Sequence, residues 1–277
     1  MTPTPTMSQE ELALFNELFS SRFGLHFPEH KREILESRLQ PRLRAHHLQR
    51  FIDYYLLLQY DLQRELDPLT RAITNNESYF FRETGQFDAL IEEVVRRRNG
   101  GTGRTTRILS AGCSAGEEPY TLNIVLRRGV PALGDDLQIE AIDLDAERLE
   151  QARTATYRPS SLRTLDADQT QRFFEHRGDD SFVLREPYRR GVQFASGNIL
   201  DLSSLSLGRR FDAVFCRNVL IYFSEEALKQ AVGNFADIVQ PGGLLFLGHS
   251  ESIIGLTQSF QAERLGQCIA YRRKSES

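Results

Sequence analysis

Five short apolar runs alternate with helical patterns between residues 106 and 247, and this alternation restricts the possible folds more than any other feature of the chain. The apolar runs predict strands at Thr106–Ala111, Leu137–Ile142, Val192–Ala195, Phe211–Cys216 and Leu244–Leu247. Helical patterns follow three of these runs, at Glu117–Arg128, Ala146–Thr154 and Ser224–Val239. Because parallel strands need long crossover connections, the alternation predicts a doubly wound α/β sheet. Two strand-like pieces at residues 260–266 and 268–273 predict an antiparallel hairpin at the end of the chain.

The first hundred residues show helical spacing and no strand signal before about residue 104. Ser8 and Glu11 form a capping-box signature for the first helix, and Pro41 predicts a kink or restart in the second. We therefore predict an all-α domain at residues 8–75, a linker at 76–105 and an α/β domain at 106–277. A polar RGDD turn between apolar runs predicts a small β-subdomain inserted at about residues 178–192.

Composition excludes several classes of protein. The net charge of -4 argues against a general nucleic-acid binder, although a local basic patch stays open. The three cysteines, Cys113, Cys216 and Cys268, have neither disulfide-framework nor metal-site spacing, which favours a reducing cytoplasm. The N-terminus is not typical of a secretory signal, and no apolar run is long enough to span a membrane. Action at a membrane would therefore require a partner.

The residues that follow the predicted strands define the candidate ligand site, since ligands of such sheets bind beyond the carboxyl ends of the strands. After the first strand, Gly112 and Gly116 form a turn, and Glu117 and Glu118 begin the next helix. Carboxylates there suit the helix dipole but repel phosphate, which favours a cationic, phosphate-free nucleoside such as S-adenosylmethionine. The alternative is that both glutamates only cap the helix.

Two further positions carry polar groups that a nucleoside ligand would need. Asp143, at the end of the second strand, is a candidate for binding ribose hydroxyls, whereas Asp145 is the predicted N-cap of the next helix. Upstream, Arg82 follows a run of aromatic residues that we interpret as core. Arg82 is able to hold a carboxylate through a bidentate pair, and the alternative is an ordinary surface arginine.

Several motifs occur together and in order along the chain. They are NNESYFFRE, AGCSAGEEPYTL, AIDLDAERLEQAR, YRPSSLR, FDAVFCRNVLIYF and GGLLFLGHSES. In combination they are highly specific, and the chain resembles the chemotaxis-receptor methyltransferases of the CheR family. The resemblance implies a cytoplasmic bacterial enzyme with a methyltransferase (Rossmann-like) fold. It would transfer methyl groups from S-adenosylmethionine to glutamate side chains in the cytoplasmic signalling domain of chemoreceptors.

The resemblance also implies roles for individual residues, which join Gly112 from the strand-end turn. The implied cofactor contacts are Asn76, Ser78, Arg82, Glu118, Asp143, Asn198, Ile199, Arg217 and Asn218. Arg82 and Tyr222 are expected near the transferred methyl group. Ser78 departs from the threonine common in the family but keeps the hydroxyl. No metal is expected.

Partner recognition is expected in two places. Lys31, Arg38 and Arg42 fall near one helical face, which resembles the family's docking surface for acidic methylation helices, although a solvated face is the alternative. The insertion resembles the family's β-subdomain, which in some members binds a pentapeptide at the receptor's C-terminal tail. Its compact HRGDDSF turn favours members that do not use this tether.

Other functions stay open at this stage. One is a different S-adenosylmethionine-dependent methyltransferase, because Asn218 and Tyr222 loosely resemble the NPPY loop of amino-group methylases, without its prolines. A CheR-like methyltransferase of a non-motility signalling pathway is a second alternative. A non-catalytic, cofactor-sensing adaptor is the third.

Overall fold

The computed structural model describes residues 5–74, 77–100, 105–203 and 210–275. These residues divide into two compact units. The helical unit contains the described residues up to 74 together with Ile221–Gln230. The sheet unit contains the described residues of Glu77–Leu220 and of the chain from Ala231 onward. As expected from the sequence, helices come first along the chain, and strands and helices alternate after them.

The helical unit is built on three long helices. They are α1 (Gln9–Phe23), α2 (Arg32–Ala45) and α3 (Phe51–Ile73), and a 3-10 turn at Glu29–Lys31 precedes α2. The predicted capping box is confirmed, since the Ser8 hydroxyl accepts a hydrogen bond from the Glu11 N–H while the Glu11 carboxylate accepts one from the Ser8 N–H. Helix α1 ends at Gly24, whose φ of 75° is typical of a left-handed C-cap.

Two of these helices contain an interruption of the regular helical pattern. Helix α2 continues through Pro41, so the predicted restart is wrong. Pro41 is exposed, as is Ser37 one turn earlier, and the Ser37 carbonyl that loses its N–H partner therefore faces water. Helix α3 consists of two helical pieces that meet at a kink, since the angles of Asp61 (φ -142°, ψ 58°) are not helical.

The segment Ile221–Gln230 belongs to the helical unit although it lies far along the chain. It is held through the main chain. The N–H of His26 donates to the Tyr222 carbonyl at 2.8 Å, and the N–H of Ser224 donates to the Gly24 carbonyl at 2.9 Å. Leu25 and Phe223 form an antiparallel bridge between these bonds. The turn after α1 thus fixes the backbone around Tyr222.

A seven-stranded sheet forms the centre of the sheet unit. The described strands of this unit, including the three that form a smaller sheet, are β1 (Thr106–Ala111), β2 (Leu137–Asp143), β3 (Thr156–Tyr157), β4 (Phe174–His176), β5 (Phe182–Leu184), β6 (Val192–Ser196), β7 (Phe211–Cys216), β8 (Val239–Leu247), β9 (Phe260–Leu265) and β10 (Cys268–Arg273). The large sheet has the order β6-β2-β1-β7-β8-β10-β9, and the small one has the order β3-β5-β4. The helices are α4 (Gly85–Asn99), α5 (Glu117–Gly129), α6 (Ala146–Thr154), α7 (Ala167–Phe173), α8 (Glu186–Arg189) and α9 (Glu225–Ile238).

The predicted fold class is confirmed. Strands β6, β2, β1, β7 and β8 pair in parallel, and β10 joins β8 and β9 in antiparallel fashion. The strand order reverses direction from β1, since successive connections run to β2 and β6 on one side and to β7 and β8 on the other. In an open α/β sheet this switch point creates a crevice at the carboxyl ends of the strands.

Strand β8 begins at Val239, earlier than the predicted start at Leu244, because it includes the QPGG segment. The pairing with β7 shifts in register between Phe211 and Ala213. Gly243 lies where a Cβ atom would approach Val239 Cγ1 to 2.7 Å, so this irregular stretch requires a residue without a side chain. The bulge lets the strand accommodate Pro241, which has no N–H to donate.

Helix α4 occupies much of the segment that the sequence predicted as a linker. Its buried face carries Phe87, Leu90 and Val94, which pack in one cluster with strand residues such as Ile108 and Phe215. The rings of Phe87 and Phe215 stack at 6.0 Å between centroids. Residues 85–99 are therefore part of the core of the sheet unit.

The small sheet β3-β5-β4 lies beside a cluster of aromatic side chains. Phe80 makes edge-to-face contacts with Tyr157 and Phe174, at 4.8 Å and 4.9 Å between ring centroids. Of its three strands, only β5 lies within the predicted insertion at about 178–192. The loop between β4 and β5 spans five residues, from 177 to 181, and is closed by the Arg177 N–H donating to the Ser181 carbonyl at 2.8 Å.

Candidate cofactor and active site

The turn between β1 and α5 brings the backbone close to the loop after β7. Gly112 has a φ of 80°, and a Cβ atom there would lie 2.5 Å from Val219 Cγ2. Gly116 has a φ of 90° at the N-cap of α5, and a Cβ atom would lie 3.0 Å from Ala152 Cβ. Both glycines are thus required by conformation and by space. The N–H groups of Gly112 and Cys113 donate to the Ile142 carbonyl at 2.9 Å and 3.0 Å, which ties this turn to the end of β2.

Asp143 lies at the end of β2 and is almost fully buried. Its Oδ2 accepts a hydrogen bond from the Ser114 N–H at 2.7 Å, and its Oδ1 accepts one from the Asp145 N–H at 2.9 Å. An ionised carboxylate has about four acceptor positions, so Asp143 can also accept from a ligand hydroxyl. Burial raises the pKa of Asp143, and hydrogen bonds from the N–H groups of Asp145, Ser114 and Leu144 only partly oppose this shift. Asp145 is the N-cap of α6, as predicted.

Glu117 and Glu118 stand in the first turn of α5, where Glu117 is buried and Glu118 is half-buried. Ser110 donates to Glu118 Oε1 at 2.7 Å, and Ser161 donates to Glu117 Oε1 at 3.0 Å. Burial raises the pKa of Glu118 despite the nearby Arg217, and it raises the pKa of Glu117 despite hydrogen bonds that include Ser161 and Ser78. These glutamates do more than cap a helix, because their side chains face groups outside α5.

Arg217, the first residue after β7, connects several predicted site residues. Its side chain is 2% exposed. Its Nη1 lies 3.2 Å from Glu118 Oε2, and its Nη2 donates to the Arg82 carbonyl at 2.5 Å. Among the residues that the structure describes, its Nε is buried without a hydrogen-bond partner. Arg217 therefore joins the segment around Arg82 to the first turn of α5.

Arg82 lies in a segment with an unusual backbone. Its neighbours Phe81 and Glu83 both have left-handed angles, with φ values of 56° and 55°. Its guanidinium lies over the ring of Tyr79 at 5.4 Å and reaches the Glu77 carbonyl at 3.5 Å, a long hydrogen bond. The side chain is 26% exposed, so its charged end is open to a ligand or substrate.

The loops after β7 and β8 are joined by Glu251. Its Oε2 accepts hydrogen bonds from the N–H groups of Asn218 and Gly248, at 2.9 Å and 2.7 Å. Asn218 has a φ of 60°, and within the described part of the chain its Oδ1 is buried with no hydrogen-bond partner. Glu251 thus has the structural role that a strand-end loop predicts, and the Asn218 amide remains able to bind a ligand.

Fewer contacts locate the other predicted site residues relative to the end of β2 and the acidic turn. The N–H of Gly197 donates to the Asp143 carbonyl at 3.1 Å, which puts Asn198 beside the end of β2. The Ile199 carbonyl accepts a hydrogen bond from Asn234 at 2.9 Å. Asn76 lies outside the described residues. Tyr222 belongs to the helical unit, where its ring lies 5.3 Å from Lys31 Nζ.

These residues fit S-adenosylmethionine in charge. The ligand carries a positive sulfur and an ammonium group but no phosphate, and Glu118 on α5 and Asp143 at the end of β2 are carboxylates whose pKa burial raises. Asn218 Oδ1 and Arg217 Nε are buried polar atoms that lack partners among the described residues, and such atoms are normally satisfied. A bound ligand would satisfy them. The described side chains include no group of three or more His, Cys, Asp or Glu residues that could hold a metal ion.

The three cations predicted to dock a partner make contacts inside the helical unit. Arg38 Nη1 donates to the Ile73 carbonyl at 2.7 Å, and Arg42 forms a bidentate pair with Glu65 at 2.7 Å and 3.0 Å. Glu65 is 4% exposed at its side chain and also accepts from the Tyr54 hydroxyl at 2.9 Å. The guanidiniums of Arg38 and Arg42 are therefore used in holding α2 to α3. The sequence could not reveal this, because both partners lie more than twenty residues away.

Sequence reasoning gave no role to Glu83, which the structure places next to Arg217. Its Oε2 lies 3.3 Å from Arg217 Nη2, and its Oε1 lies 3.0 Å from His249 Nδ1. The only available signal was its position directly after Arg82. Cys113 and Cys216 are buried, and burial raises the pKa of both thiols well above the ordinary value, which supports packing rather than reactivity.

No helix among the described residues is both long enough and apolar enough to span a bilayer. Comparison with known protein families gives two adjoining matches. Residues 10–74 match the all-alpha domain of the CheR methyltransferases, and residues 76–268 match their SAM-binding domain.

Individual bacterial proteins are similar over nearly their full length. Chemotaxis protein methyltransferase 2 of Vibrio cholerae is 33% identical over 96% of this chain and 93% of its own. The chemotaxis protein methyltransferase of Salmonella typhimurium is 35% identical, and that of Escherichia coli is 34% identical. For both, the match covers 94% of this chain and 90% of the relative.

Proposed function

The chain belongs to the CheR methyltransferase family, and we propose that its substrates are glutamate side chains of bacterial chemoreceptors, which it converts to methyl esters. The family and the named relatives make it an S-adenosylmethionine-dependent methyltransferase of chemotaxis. The single observation that carries the choice of a carboxylate substrate is Arg82. Its side chain is partly exposed, and its backbone carbonyl accepts a hydrogen bond from Arg217, which also pairs with Glu118 in the acidic turn.

The chemistry requires little from the protein beyond placement. When bound, S-adenosylmethionine supplies a methyl group on a positively charged sulfur. A glutamate carboxylate is already ionised at neutral pH, so it can attack without a general base. The task left to the protein is to orient the carboxylate, strip it of water and hold it in line with the methyl group. Arg82 would orient the carboxylate oxygens, and the Tyr222 hydroxyl would donate a hydrogen bond near the reacting atoms.

The cofactor would be held at the carboxyl edge of the sheet. We propose that Asp143 binds the ribose hydroxyls and that Glu118 faces the cationic part of the ligand. Gly112 allows the close approach of the backbone, and Asn218 supplies an amide without an internal partner at its Oδ1, within the described residues. Ser78, Asn198, Ile199 and Arg217 complete the proposed set together with Asn76.

The test uses labelled S-adenosylmethionine and membranes that contain a chemoreceptor. We expect label in the receptor that mild base releases as methanol, since glutamyl methyl esters are labile to base. Arg82→Ala and Tyr222→Phe should lower kcat more than they weaken binding of S-adenosylhomocysteine. Equal losses in both quantities would remove the catalytic assignment for that residue.

Two exposed residues provide matched controls. Tyr60 is 94% exposed, so Tyr60→Phe removes the same hydroxyl from a surface site. Arg177 is exposed and pairs with Glu175 at the small sheet, so Arg177→Ala removes the same charge from a distant loop. Neither change should alter kcat. Cofactor binding without any methyl transfer would favour an adaptor, whereas base-stable label would point to another class of methyltransferase.

We further propose that the helical unit docks on acidic helices of the receptor in the cytoplasm. Because Arg38 and Arg42 make internal bonds, reversing their charge would disturb the fold as well as any docking. Arg44 is exposed on the same helix and gives a cleaner test. Arg44→Glu should raise KM for the receptor and leave cofactor affinity unchanged, and an unchanged KM would argue that this face is ordinary surface.

The compact loop between β4 and β5 supports the proposal that a receptor pentapeptide tether is not used. Gly178, Asp179 and Asp180 all have positive φ values, which fold the loop back on itself. Calorimetry with a pentapeptide that matches a receptor C-terminus should show no binding at micromolar concentration. Micromolar affinity would overturn this part of the proposal.

A further inference from the structure

The backbone around Arg82 is held in an unusual conformation. Phe81 and Glu83, on either side of it, both adopt left-handed angles, which are unfavourable for a residue with a side chain. Such a segment persists only if its surroundings hold it. The Phe81 N–H donates to Thr121 Oγ1 at 3.1 Å, and the Phe81 ring stacks on Phe173 at 5.8 Å. These contacts fix the start of the segment but not Arg82 itself.

The backbone of Arg82 is held by Arg217, and its side chain lies near Glu83, with Arg82 Nε 3.9 Å from Glu83 Oε1. Arg217 Nη2 donates to the Arg82 carbonyl at 2.5 Å, and the guanidinium lies over the Phe87 ring at 5.4 Å. A buried arginine keeps one orientation when carboxylates lie next to the nitrogens that must be held, because an uncompensated buried charge is costly. Two carboxylates compensate it here, since Glu118 approaches Nη1 at 3.2 Å and Glu83 approaches Nη2 at 3.3 Å.

Glu83 and Glu118 attract different nitrogen atoms of this guanidinium, Nη2 and Nη1 respectively. The Nη2 atom that bonds the Arg82 carbonyl is also the atom that faces Glu83. Without Glu83, Glu118 would be the one remaining carboxylate partner of Arg217 among the described residues. The guanidinium would then turn toward Glu118 and away from the Arg82 carbonyl.

We infer that Glu83 is a positioning residue for methyl transfer, which orients Arg217 so that Arg217 holds the backbone of Arg82 in its reactive placement. The inference rests on the proposed function, in which Arg82 orients the substrate carboxylate. Glu83 itself need not touch substrate or cofactor. Its outer oxygen binds His249 Nδ1 at 3.0 Å, and this second contact keeps the carboxylate from rotating away. Burial acts against its ionisation, but Arg217 and His249 outweigh it and lower the pKa of Glu83, so it is charged at neutral pH.

The main test measures kcat, KM and S-adenosylhomocysteine affinity for two substitutions of Glu83. Glu83→Ala should lower kcat about 100-fold, because a misplaced orienting group costs about this much, while cofactor affinity changes much less. Glu83→Gln keeps an oxygen that can accept from Arg217, so it should recover most of the lost kcat. Glu175→Ala is the control, since Glu175 forms an exposed pair with Arg177 in the same unit. A kcat for Glu83→Ala within about threefold of wild type would overturn the inference.

A double-mutant cycle shows whether Glu83 acts through Arg82. If it does, Glu83→Ala should have little further effect on kcat in an Arg82→Ala background. The same loss in both backgrounds would contradict the inference. Thermal unfolding checks the fold of each variant. Should Glu83→Ala fail to fold, Glu83→Leu, which also removes the carboxylate but keeps much of the side-chain volume, takes its place in the same cycle with the same criterion.

The proposed substrate and the proposed role of Glu83 are tested by different outcomes. If the wild-type protein forms no base-labile ester on the receptor, the proposed substrate is wrong. If the wild-type protein forms the ester and the Glu83 variants do so at the wild-type rate, only the role of Glu83 is wrong.

Discussion

The sheet unit holds two groups of buried carboxylates, and they are compensated very differently. Glu93 is 6% exposed and faces Arg96, Arg97 and Arg272, with the nearest nitrogens at 2.6, 2.6 and 3.2 Å. Burial alone would raise its pKa, but the three arginines outweigh burial and lower it to about 2. At the carboxyl edge of the sheet the balance is the reverse, because burial raises the pKa of Glu118.

The difference separates a structural group from a binding site. The charges around Glu93 satisfy one another, although a cavity of about 710 Å³ lies beside them. Glu118 shares its arginine with Glu83, and Asp143 has only backbone N–H partners among the contacts described above. Carboxylates that are buried without full compensation are costly for the folded protein. They can be explained by a ligand that brings positive charge from outside.

The largest expected effect is on stability at Glu93. Glu93→Ala leaves three arginines without their shared partner, and removing one member of a buried pair typically costs about 3–5 kcal/mol of unfolding free energy. Urea unfolding measures this loss, and cofactor affinity should not change. Glu92→Ala, at the exposed neighbouring position, is the control. A loss below about 1 kcal/mol would show that the cluster is not structural.

The pH dependence of Glu93 follows from the same shift. Its pKa is lowered from 4.5 to about 2 in the folded protein, so its stabilising contribution is complete above pH 4.5. The contribution is lost as the pH falls from 4.5 toward 2. Acid unfolding of the wild type and of Glu93→Gln should therefore converge at the low end of this range.

The next effect, on binding, concerns Glu118. Glu118→Gln removes the negative charge that faces the proposed cation, and S-adenosylmethionine should bind about 30-fold more weakly, as expected for a hydrogen bond to a charged group. Isothermal titration calorimetry measures the affinity. Glu150→Gln, at an exposed carboxylate on α6, is the control and should bind as the wild type does. Wild-type affinity in Glu118→Gln would show that the acidic turn does not recognise the cofactor.

The smallest expected effect is on stability and concerns Glu117, where the substitution should stabilise the protein at neutral pH. Because its pKa is raised in the folded protein, its contribution to stability is complete below its ordinary pKa of 4.5 and is lost as the pH rises through the folded pKa. Glu117→Gln should therefore be as stable as the wild type at pH 4 and up to about 1 kcal/mol more stable at pH 7. Urea unfolding at the two pH values measures the difference. A variant that is clearly less stable at pH 7 would mean that the charge of Glu117 is compensated after all.

The sequence predicted those features that depend on local pattern. Alternation of strands and helices predicted the doubly wound sheet, and the positions after the strands indicated Gly112 and Asp143, because parallel strands bring their carboxyl ends to one edge. Arg217 was implied only by the family resemblance. Ser8 and Glu11 gave the start of α1, since a capping box acts within one turn.

Features that depend on distant partners could not be predicted. Helical spacing places Arg38 and Arg42 on one face, but it does not show that α3 covers that face and supplies Glu65. Phe87, Leu90 and Val94 do have helical spacing, yet only the strands they pack against reveal that α4 is core. Glu83 carries no periodic signal, and its contact with Arg217 joins positions 134 residues apart.

The main-chain bonds of Tyr222 have a consequence for the evolution of the two units. The stretch Ile221–Gln230 is encoded within the catalytic part of the chain but folds with the helical unit, through His26, Leu25 and Gly24. Recombination that exchanged only the first 75 residues between relatives would therefore separate Tyr222 from the turn that supports its backbone. Hybrids that inherit both stretches from one parent should retain that turn, so these two regions are expected to evolve as one unit of inheritance.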